Sequence, residues 1–246
     1  MGRPKIFRLP IPDGWDRQGV GRRFFIFPSM SLDEDKEIEL SHELIKTAGR
    51  SLILVPNTNL RDQIIDDIQE SLNFPIYNSE DIEVSKKPFI SEDNAVAIVA
   101  NRYDGIDFPG DECRLLFIEG LPKAMNLQER FLMSRMGAMV LFNERIQTRV
   151  LQAIGRCTRS LEDYSAIVLS GEELPDYLSD IRRREYYHPE LQTELLFGVE
   201  QSKNISLTDI VENFKIFLDN GKEWETVNEQ IVNKRKTSTQ KPFPGL

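Results

Sequence analysis

Short, continuous apolar runs recur along the first two thirds of the chain, separated by stretches of helical periodicity. The runs cover residues 24–27, 52–55, 95–99, 115–118 and 166–169, with a weaker strand candidate at 74–77. A strand that is buried on both faces of a parallel sheet gives such an uninterrupted run, because neither face meets water. Strands that alternate with helices form βαβ units. We therefore predict an α/β fold with a mostly parallel sheet flanked by helices.

Amphipathic segments fill the spaces between these runs. Their periodicity predicts helices over residues 32–48, 60–72, 126–142 and 145–157. Ser31 is placed to cap the first of these helices and Gly49 to end it. Residues 78–94 are polar, and we predict a loop-rich connection there.

The pattern changes after Gly171, where only helical periodicity remains. It predicts helices over residues 174–186, 190–200, 207–220 and 223–233, followed by a frayed end over residues 234–246. At the other end of the chain, residues 1–20 combine prolines with glycines and predict an irregular lead-in. We therefore expect a lead-in (1–20), a sheet domain (21–185) and a helical extension packed on the sheet domain (186–246).

The composition is that of an ordinary soluble globular protein, with 40% hydrophobic residues, 29% charged residues and a formal net charge of −9. This charge argues against a chain that coats nucleic acid without specificity, but it is compatible with a local basic groove. No apolar run is long enough to span a bilayer, and the first ten residues lack the apolar core of a signal peptide. The two cysteines, Cys113 and Cys157, suggest neither a disulfide framework nor a metal site. We expect a cytoplasmic location.

Two loop segments carry candidate chemistry, because ligands of open parallel sheets meet the carboxyl ends of the strands. Asn57 and Thr58 follow a predicted strand and begin a helix, where backbone N–H groups favour a phosphate; a plain helix cap is the simpler explanation. Residues 101–110 follow another strand and contain two aspartates that flank a glycine. A carboxylate there could accept a ribose hydroxyl or hold an arginine. Taken alone, this segment is better explained as a turn-rich connector.

The most informative segment reads Gln152-Ala153-Ile154-Gly155-Arg156-Cys157-Thr158-Arg159. On a helix, Gln152, Arg156 and Arg159 would share one face, since positions three and four apart are neighbours. Two guanidinium groups and an amide suit a polyphosphate, and Gly155 lets a nucleotide or a backbone approach closely. The alternative is a basic helix face that makes weak surface salt bridges.

In their order and spacing these segments resemble the motifs of superfamily 2 helicases. The eight residues that end at Arg159 resemble motif VI, Q-x-x-G-R-x-x-R, and residues 51–59 resemble motif IV. Residues 104–108 resemble motif V in its G-I-D-F form. This form, followed by a strand and by Leu121-Pro122, is most similar to the DinG/XPD-like branch. The resemblance covers residues 20–185 and implies the second, C-terminal RecA-like domain of such an enzyme.

For motif VI, the resemblance implies a catalytic role. Arg156 and Arg159 would be arginine fingers that reach the γ-phosphate of ATP, and Gln152 would contact the phosphates or the surroundings of the attacking water. Gly155 would lie close to the nucleotide.

For motifs IV and V, the resemblance implies a link between the nucleotide and a nucleic-acid strand. Gly105 and Asp107 would sense the nucleotide, with Asp107 near the ribose or near an arginine finger. Asn57, Thr58 and Arg102 would face the nucleic-acid backbone. The implied partners are single-stranded nucleic acid, most simply DNA, and an N-terminal RecA-like domain.

The chain departs from a complete helicase in several respects. Its sequence contains neither a G-x-x-x-x-G-K-[ST] loop nor an Asp-Glu-x-His box, and it lacks the four cysteines that hold an iron–sulfur cluster in some relatives. ATP and Mg²⁺ would therefore be bound mainly by the first RecA-like domain. We expect the chain alone to be inactive, and to be part of a larger enzyme or a subunit that joins its other half in trans.

Two other functions compete with a helicase motor. The first is a catalytically silent scaffold that binds protein partners; the presence of both Arg156 and Arg159 favours the enzyme, because a scaffold does not need them. The second is the motor of a restriction or defence nuclease, which would require a nuclease domain elsewhere.

Overall fold

The computed structural model describes residues 21–101, 106–120, 139–171 and 173–241, with the backbone alone for residues 139–145. The strands are β1 (Arg22–Ile26), β2 (Arg50–Val55), β3 (Ile76–Asn78), β4 (Ala95–Ala100), β5 (Leu115–Glu119) and β6 (Tyr164–Ser170). The helices in these ranges are α1 (Glu34–Ala48), α2 (Thr58–Ser71), α3 (Ser79–Val84), α4 (Lys87–Ser91), α5 (Met139–Ile154), α6 (Leu174–Ser179), α7 (Ile181–Arg184), α8 (Pro189–Gln201), α9 (Leu207–Asp219) and α10 (Lys222–Thr237).

The six strands form one sheet in the order β1-β6-β5-β2-β4-β3, and all neighbouring strands are parallel. In the central strand β2, Leu52 lies opposite Ala97 of β4 on one side and opposite Leu116 of β5 on the other. The predicted RecA-like parallel sheet is therefore confirmed for the described residues.

Both faces of the sheet are covered, which explains the uninterrupted apolar runs. Successive side chains of a strand point to opposite faces. Accordingly, Leu52 and Leu54 pack in a layer with α5, α6 and α8, whereas Ile53 and Val55 pack in a second layer with α1, α2 and α9.

The C-terminal helices α8 and α9 pack on opposite faces of this sheet. Gly198 of α8 lies directly over Phe25 of β1: a Cβ atom on Gly198 would be 2.6 Å from both the Cβ and the carbonyl oxygen of Phe25. On the same helix, Glu194 forms a buried ion pair with Arg23 of β1, with 2.7 Å between the nitrogen and the oxygen. The division into a sheet domain and an extension from residue 186 stays a prediction, and the lead-in 1–20 lies outside the described residues.

The start of the first helix differs from the prediction. Asp33, and not Ser31, is the N-cap of α1, because its carboxylate accepts a hydrogen bond from the backbone N–H of Lys36 at 3.1 Å. The Ser31 hydroxyl is used elsewhere and donates to the carbonyl oxygen of Ser202 at 2.7 Å. Gly49 ends the helix as predicted, with a φ of 74°.

The prediction of a loop-rich connection over residues 78–94 was wrong, because this segment contains α3 and α4. Asn78 and Asp81 form a capping box that starts α3: each side chain accepts a hydrogen bond from the other residue's backbone N–H, at 3.0 and 2.9 Å. Ile82 and Phe89 are buried and hold the two short helices against the sheet. Two apolar anchors are therefore enough to order an otherwise polar segment.

The helices around residue 142 also differ from the prediction. Where two helices were predicted (126–142 and 145–157), α5 is continuous from Met139 to Ile154, with no break at residues 143–144. It ends three residues earlier than predicted, and residues 126–138 lie outside the described part of the chain.

After β6, the predicted helix 174–186 is divided into α6 and α7 at Asp180, whose backbone is extended and whose carboxylate caps α7. The predicted frayed end is ordered as far as Lys241. Helix α10 continues to Thr237, and the backbone N–H of Lys241 donates to the carbonyl oxygen of Glu185 at 2.8 Å. Among the described helices, none has both the length and the apolar character needed to cross a membrane.

Candidate functional site

Arg156 and Arg159 converge on one carboxylate oxygen of Asp107. Nη1 of Arg156 donates to Oδ1 of Asp107 at 2.9 Å, and Nη2 of Arg159 donates to the same oxygen at 2.6 Å. Arg156 also donates to the carbonyl oxygen of Ile106 at 3.2 Å. The structure therefore brings the motif V and motif VI candidates together in a cluster of two guanidinium groups around one carboxylate.

The two arginines of the cluster differ in exposure. The Arg156 side chain is only 6% exposed, whereas that of Arg159 is 49% exposed and that of Asp107 is 41% exposed. The backbone carbonyl of Arg156 also accepts a hydrogen bond from the N–H of Phe108 at 2.9 Å. Arg156 is therefore fixed within the chain, and Arg159 is the arginine that can turn toward a ligand.

The predicted common helix face of Gln152, Arg156 and Arg159 was wrong. Helix α5 ends at Ile154, and the N–H of Arg156 donates to the carbonyl of Ala153 at 3.1 Å, three residues back and not four. Both arginines lie in the irregular turn that follows the helix, while Gln152 stays on α5 and is exposed. The arginines meet through Asp107 and not through helical spacing.

Gly155 is the first residue of this turn, and the space around it would accept a Cβ atom. A Cβ atom at Gly155 would lie 3.4 Å from the carbonyl oxygen of Leu151 and 3.9 Å from Nη1 of Arg159, both normal contact distances. Its φ is not in the left-handed region. The fold of the described residues therefore gives no reason for a glycine here.

Two basic residues that the sequence did not single out hold the Asp107 segment. Nζ of Lys86 donates to the carbonyl oxygen of Asp107 at 3.2 Å and forms an ion pair with Glu112. Arg50 donates to the carbonyl oxygens of Asp111 at 2.7 Å and Glu112 at 2.9 Å. Because these bonds involve main-chain carbonyls, no side-chain motif in the sequence signals them.

The predicted site residues lie at two different edges of the sheet. Arg50 begins β2 and anchors residues 111–112, so the Asp107–Arg159 cluster is held from the amino ends of the strands. Asn57 and Thr58 follow the carboxyl end of β2, about 20 Å away along a six-residue strand. Of the two loop segments that were expected at the carboxyl ends, Asn57 and Thr58 lie there, whereas Asp107 does not.

Asn57 is a helix cap, which is the simpler of the two explanations given above for this residue. Its side-chain oxygen accepts a hydrogen bond from the N–H of Leu60 at 2.9 Å and caps α2, while Asn57 and Thr58 are both exposed. Arg102 and Gly105 lie outside the described residues.

The cysteine of motif VI is not a reactive group. Cys157 is buried beside Cys113. Its hydrogen bond with Cys113 and its burial raise the pKa of the Cys157 thiol well above its usual value. The thiol therefore stays protonated near neutral pH and belongs to the apolar core on one face of the sheet.

Residues 40–176 match the model of the helicase C-terminal domain family. No curated protein sequence matches the chain.

Among solved structures, the chain is similar to one named XPD_APO, with 18% identity and a TM-score of 0.44 over 67% of this chain and 38% of that chain. It is also similar to Xpd4 of S. tokodaii, with 16% identity and a TM-score of 0.41 over 66% of this chain and 37% of that chain. A third similar structure is the C-terminal part of the Fun30 ATPase domain, with 11% identity and a TM-score of 0.36 over 76% of this chain and 53% of that chain. The chain thus spans well under half of the two XPD chains.

The assignment rests on the family match, which covers more than half of the 246 residues. It includes the whole segment from β2 to the cluster of Asp107, Arg156 and Arg159. The family match agrees with the resemblance of motifs IV, V and VI to those of superfamily 2 helicases. The chain belongs to the helicase C-terminal domain family.

Proposed function

We propose that the chain is the C-terminal motor domain of an ATP-dependent DNA helicase, and that it supplies the arginine fingers and part of the nucleic-acid track. The observation that best supports this proposal is the convergence of Arg156 and Arg159 on Asp107. This arrangement combines a buried, fixed guanidinium with a half-exposed one, on the segments that resemble motifs V and VI.

The described residues suit one side of an ATP–Mg²⁺ site, the other side being supplied by an N-terminal RecA-like domain. ATP, bound mainly there, supplies the γ-phosphoryl group that is transferred to water. Arg159 offers a planar set of donors to the phosphate oxygens, and its charge stabilises the charge that develops in the transition state. Gln152 is exposed on α5, and we propose that it contacts the phosphates or the surroundings of the attacking water.

Asp107 gives the cluster two states. Without a nucleotide, its carboxylate neutralises Arg159 across a 2.6 Å hydrogen bond. When the two domains close, Arg159 exchanges this carboxylate for a phosphate, while Arg156 keeps Asp107 in place. The half-exposed position of both Asp107 and Arg159 allows this exchange without unfolding of the turn.

The nucleic-acid track is proposed at the opposite edge of the sheet, where Asn57 and Thr58 follow β2; Arg102, the third residue proposed for it, lies outside the described residues. The N–H of Asn101 donates to the carbonyl oxygen of Val55 at 2.9 Å, which ties the ends of these two strands together. We expect the DNA affinity of the chain alone to be weak and to fall with salt, given its net charge of −9.

Gly155 provides a test of nucleotide approach. Because a Cβ atom fits at this position, Gly155→Ala should change the free energy of unfolding of the chain by less than about 0.5 kcal/mol. In the complete enzyme the same change should lower ATP turnover at least tenfold, because the methyl group occupies the space proposed for the nucleotide. Urea unfolding and steady-state ATP hydrolysis measure the two effects. Unchanged turnover would contradict the proposed contact.

A further inference from the structure

Asp163, which the sequence did not single out, accepts three backbone hydrogen bonds. It directly precedes β6 and is 4% exposed. Its Oδ2 accepts from the N–H of Arg159 at 2.7 Å and from the N–H of Ser160 at 2.8 Å. Its Oδ1 accepts from the N–H of Gly110 at 3.0 Å.

These bonds join two segments that are far apart in the sequence. Gly110 lies three residues after Asp107, and the other two donors belong to the turn that carries the exposed arginine. Burial raises the pKa of the Asp163 carboxyl, but the three backbone N–H groups outweigh burial and hold the pKa below its ordinary value. The carboxylate is therefore charged at neutral pH, and bonds from N–H groups to a charged oxygen are stronger than neutral ones.

We propose that Asp163 is a positioning residue for ATP hydrolysis, which sets the spacing between the Asp107 segment and the Arg159 turn. The inference rests on the proposed function of Arg159 as an arginine finger. A carboxylate that only capped the turn would need one oxygen, for Arg159 and Ser160; the second oxygen, on Gly110, fixes the distance between the two segments. A displacement of about 1 Å at a reacting group can lower a rate by as much as 10²-fold.

Asp163→Asn separates these two functions of the carboxylate. The amide oxygen can still accept from the N–H groups of Arg159 and Ser160, while the amide NH₂ then faces the N–H of Gly110, donor against donor. In the complete enzyme we expect kcat for ATP to fall about 10- to 100-fold with KM for ATP changed less than threefold. The serine side chain in Asp163→Ser is too short to reach Gly110, so this variant should also lower kcat and leave KM nearly unchanged.

Asp180→Asn is the matched control. The Asp180 carboxylate also accepts two backbone hydrogen bonds, from the N–H groups of Arg182 at 2.7 Å and Arg183 at 3.2 Å, at the start of α7. Both bonds go to one oxygen, which the amide oxygen can replace, so this change removes only the charge of a turn cap away from the cluster and should leave kcat within twofold of the wild type.

A double-mutant cycle with Arg159→Ala distinguishes positioning from general stability. If Asp163 acts through Arg159, Asp163→Asn should lower the single-turnover rate by less than twofold in the Arg159→Ala background. Independent, multiplicative losses, or unfolding of both Asp163 variants at the assay temperature, would overturn the positioning role. If Arg159→Ala alone left turnover unchanged, the proposed function of Arg159 would be wrong. If Arg159→Ala were inactive but Asp163→Asn had a normal kcat, only the positioning role of Asp163 would be wrong.

Discussion

Replacing Arg159 by alanine in the complete enzyme is expected to lower the turnover number for ATP by about 10³- to 10⁵-fold, or about 4–7 kcal/mol in activation free energy. The expected loss is large because an arginine finger neutralises charge that develops only in the transition state. ATP binding should change little, since in the proposed arrangement the N-terminal domain makes most contacts with the ground-state nucleotide. Arg159 is half exposed and bonded to the half-exposed Asp107, so its removal should leave the fold intact.

Steady-state hydrolysis and ATP affinity, measured on the same preparations, check this expectation. Arg159→Lys keeps the charge but loses the planar donors, so turnover should stay well below the wild-type value. Arg182→Ala, at an exposed arginine of α7, is the control and should be indistinguishable from the wild type. An Arg159→Ala enzyme with normal turnover would exclude Arg159 as an arginine finger.

Arg156 is expected to behave differently from Arg159, although the resemblance gives both the same role. Its side chain is 6% exposed and its guanidinium holds both Asp107 and the carbonyl of Ile106. Its removal would leave a gap at a buried position and would break the bonds that hold Asp107 and Ile106 to the turn. Arg156→Ala should therefore reduce turnover and stability together, and Arg159 is the cleaner probe of catalysis.

The second large effect is on stability, at Gly198. Gly198→Ala should destabilise the chain by about 1–3 kcal/mol, because a Cβ atom would lie 2.6 Å from the carbonyl oxygen and the Cβ of Phe25. Neither atom can move easily, since Phe25 lies inside β1 and is paired with Ile167 of β6. The gain in helix propensity from glycine to alanine, about 1 kcal/mol, offsets only part of this cost.

Chemical unfolding in urea measures this effect as a lower midpoint with an unchanged slope. Gly155→Ala is the matched control, because the added Cβ atom there meets nothing closer than 3.4 Å. Equal stability of the two variants would mean that α8 does not pack on β1 as described.

The sheet was predictable because burial on both faces imposes a simple pattern. Residues 52–55 and 115–118 are apolar without interruption, and both segments are central strands of the sheet. Helix α3 (Ser79–Val84) was missed because its signal is local capping by Asn78 and Asp81, within a segment that buries few side chains. The average polarity of the segment favoured a loop, because it gives no information on helix capping.

The candidate site was predictable as a set of residues but not as a geometry. The spacing of Arg156 and Arg159 suggested a helix face, yet what brings them together is Asp107, about fifty positions earlier in the chain. Such a contact follows from the path of two connections across the same sheet, which local periodicity does not encode. Arg50 and Asp163 act on main-chain groups, so no motif points to them.

The central claim is that this chain carries only the arginine side of an ATP site. It is tested most directly by measuring ATP hydrolysis with single-stranded DNA, first by the 246-residue chain alone and then after addition of the proposed N-terminal RecA-like domain, which would carry the G-x-x-x-x-G-K-[ST] loop. We expect no turnover above background for the chain alone, and turnover in the mixture that disappears when the chain carries Arg159→Ala. Turnover by the chain alone, or turnover in the mixture that does not depend on Arg159, would contradict the claim.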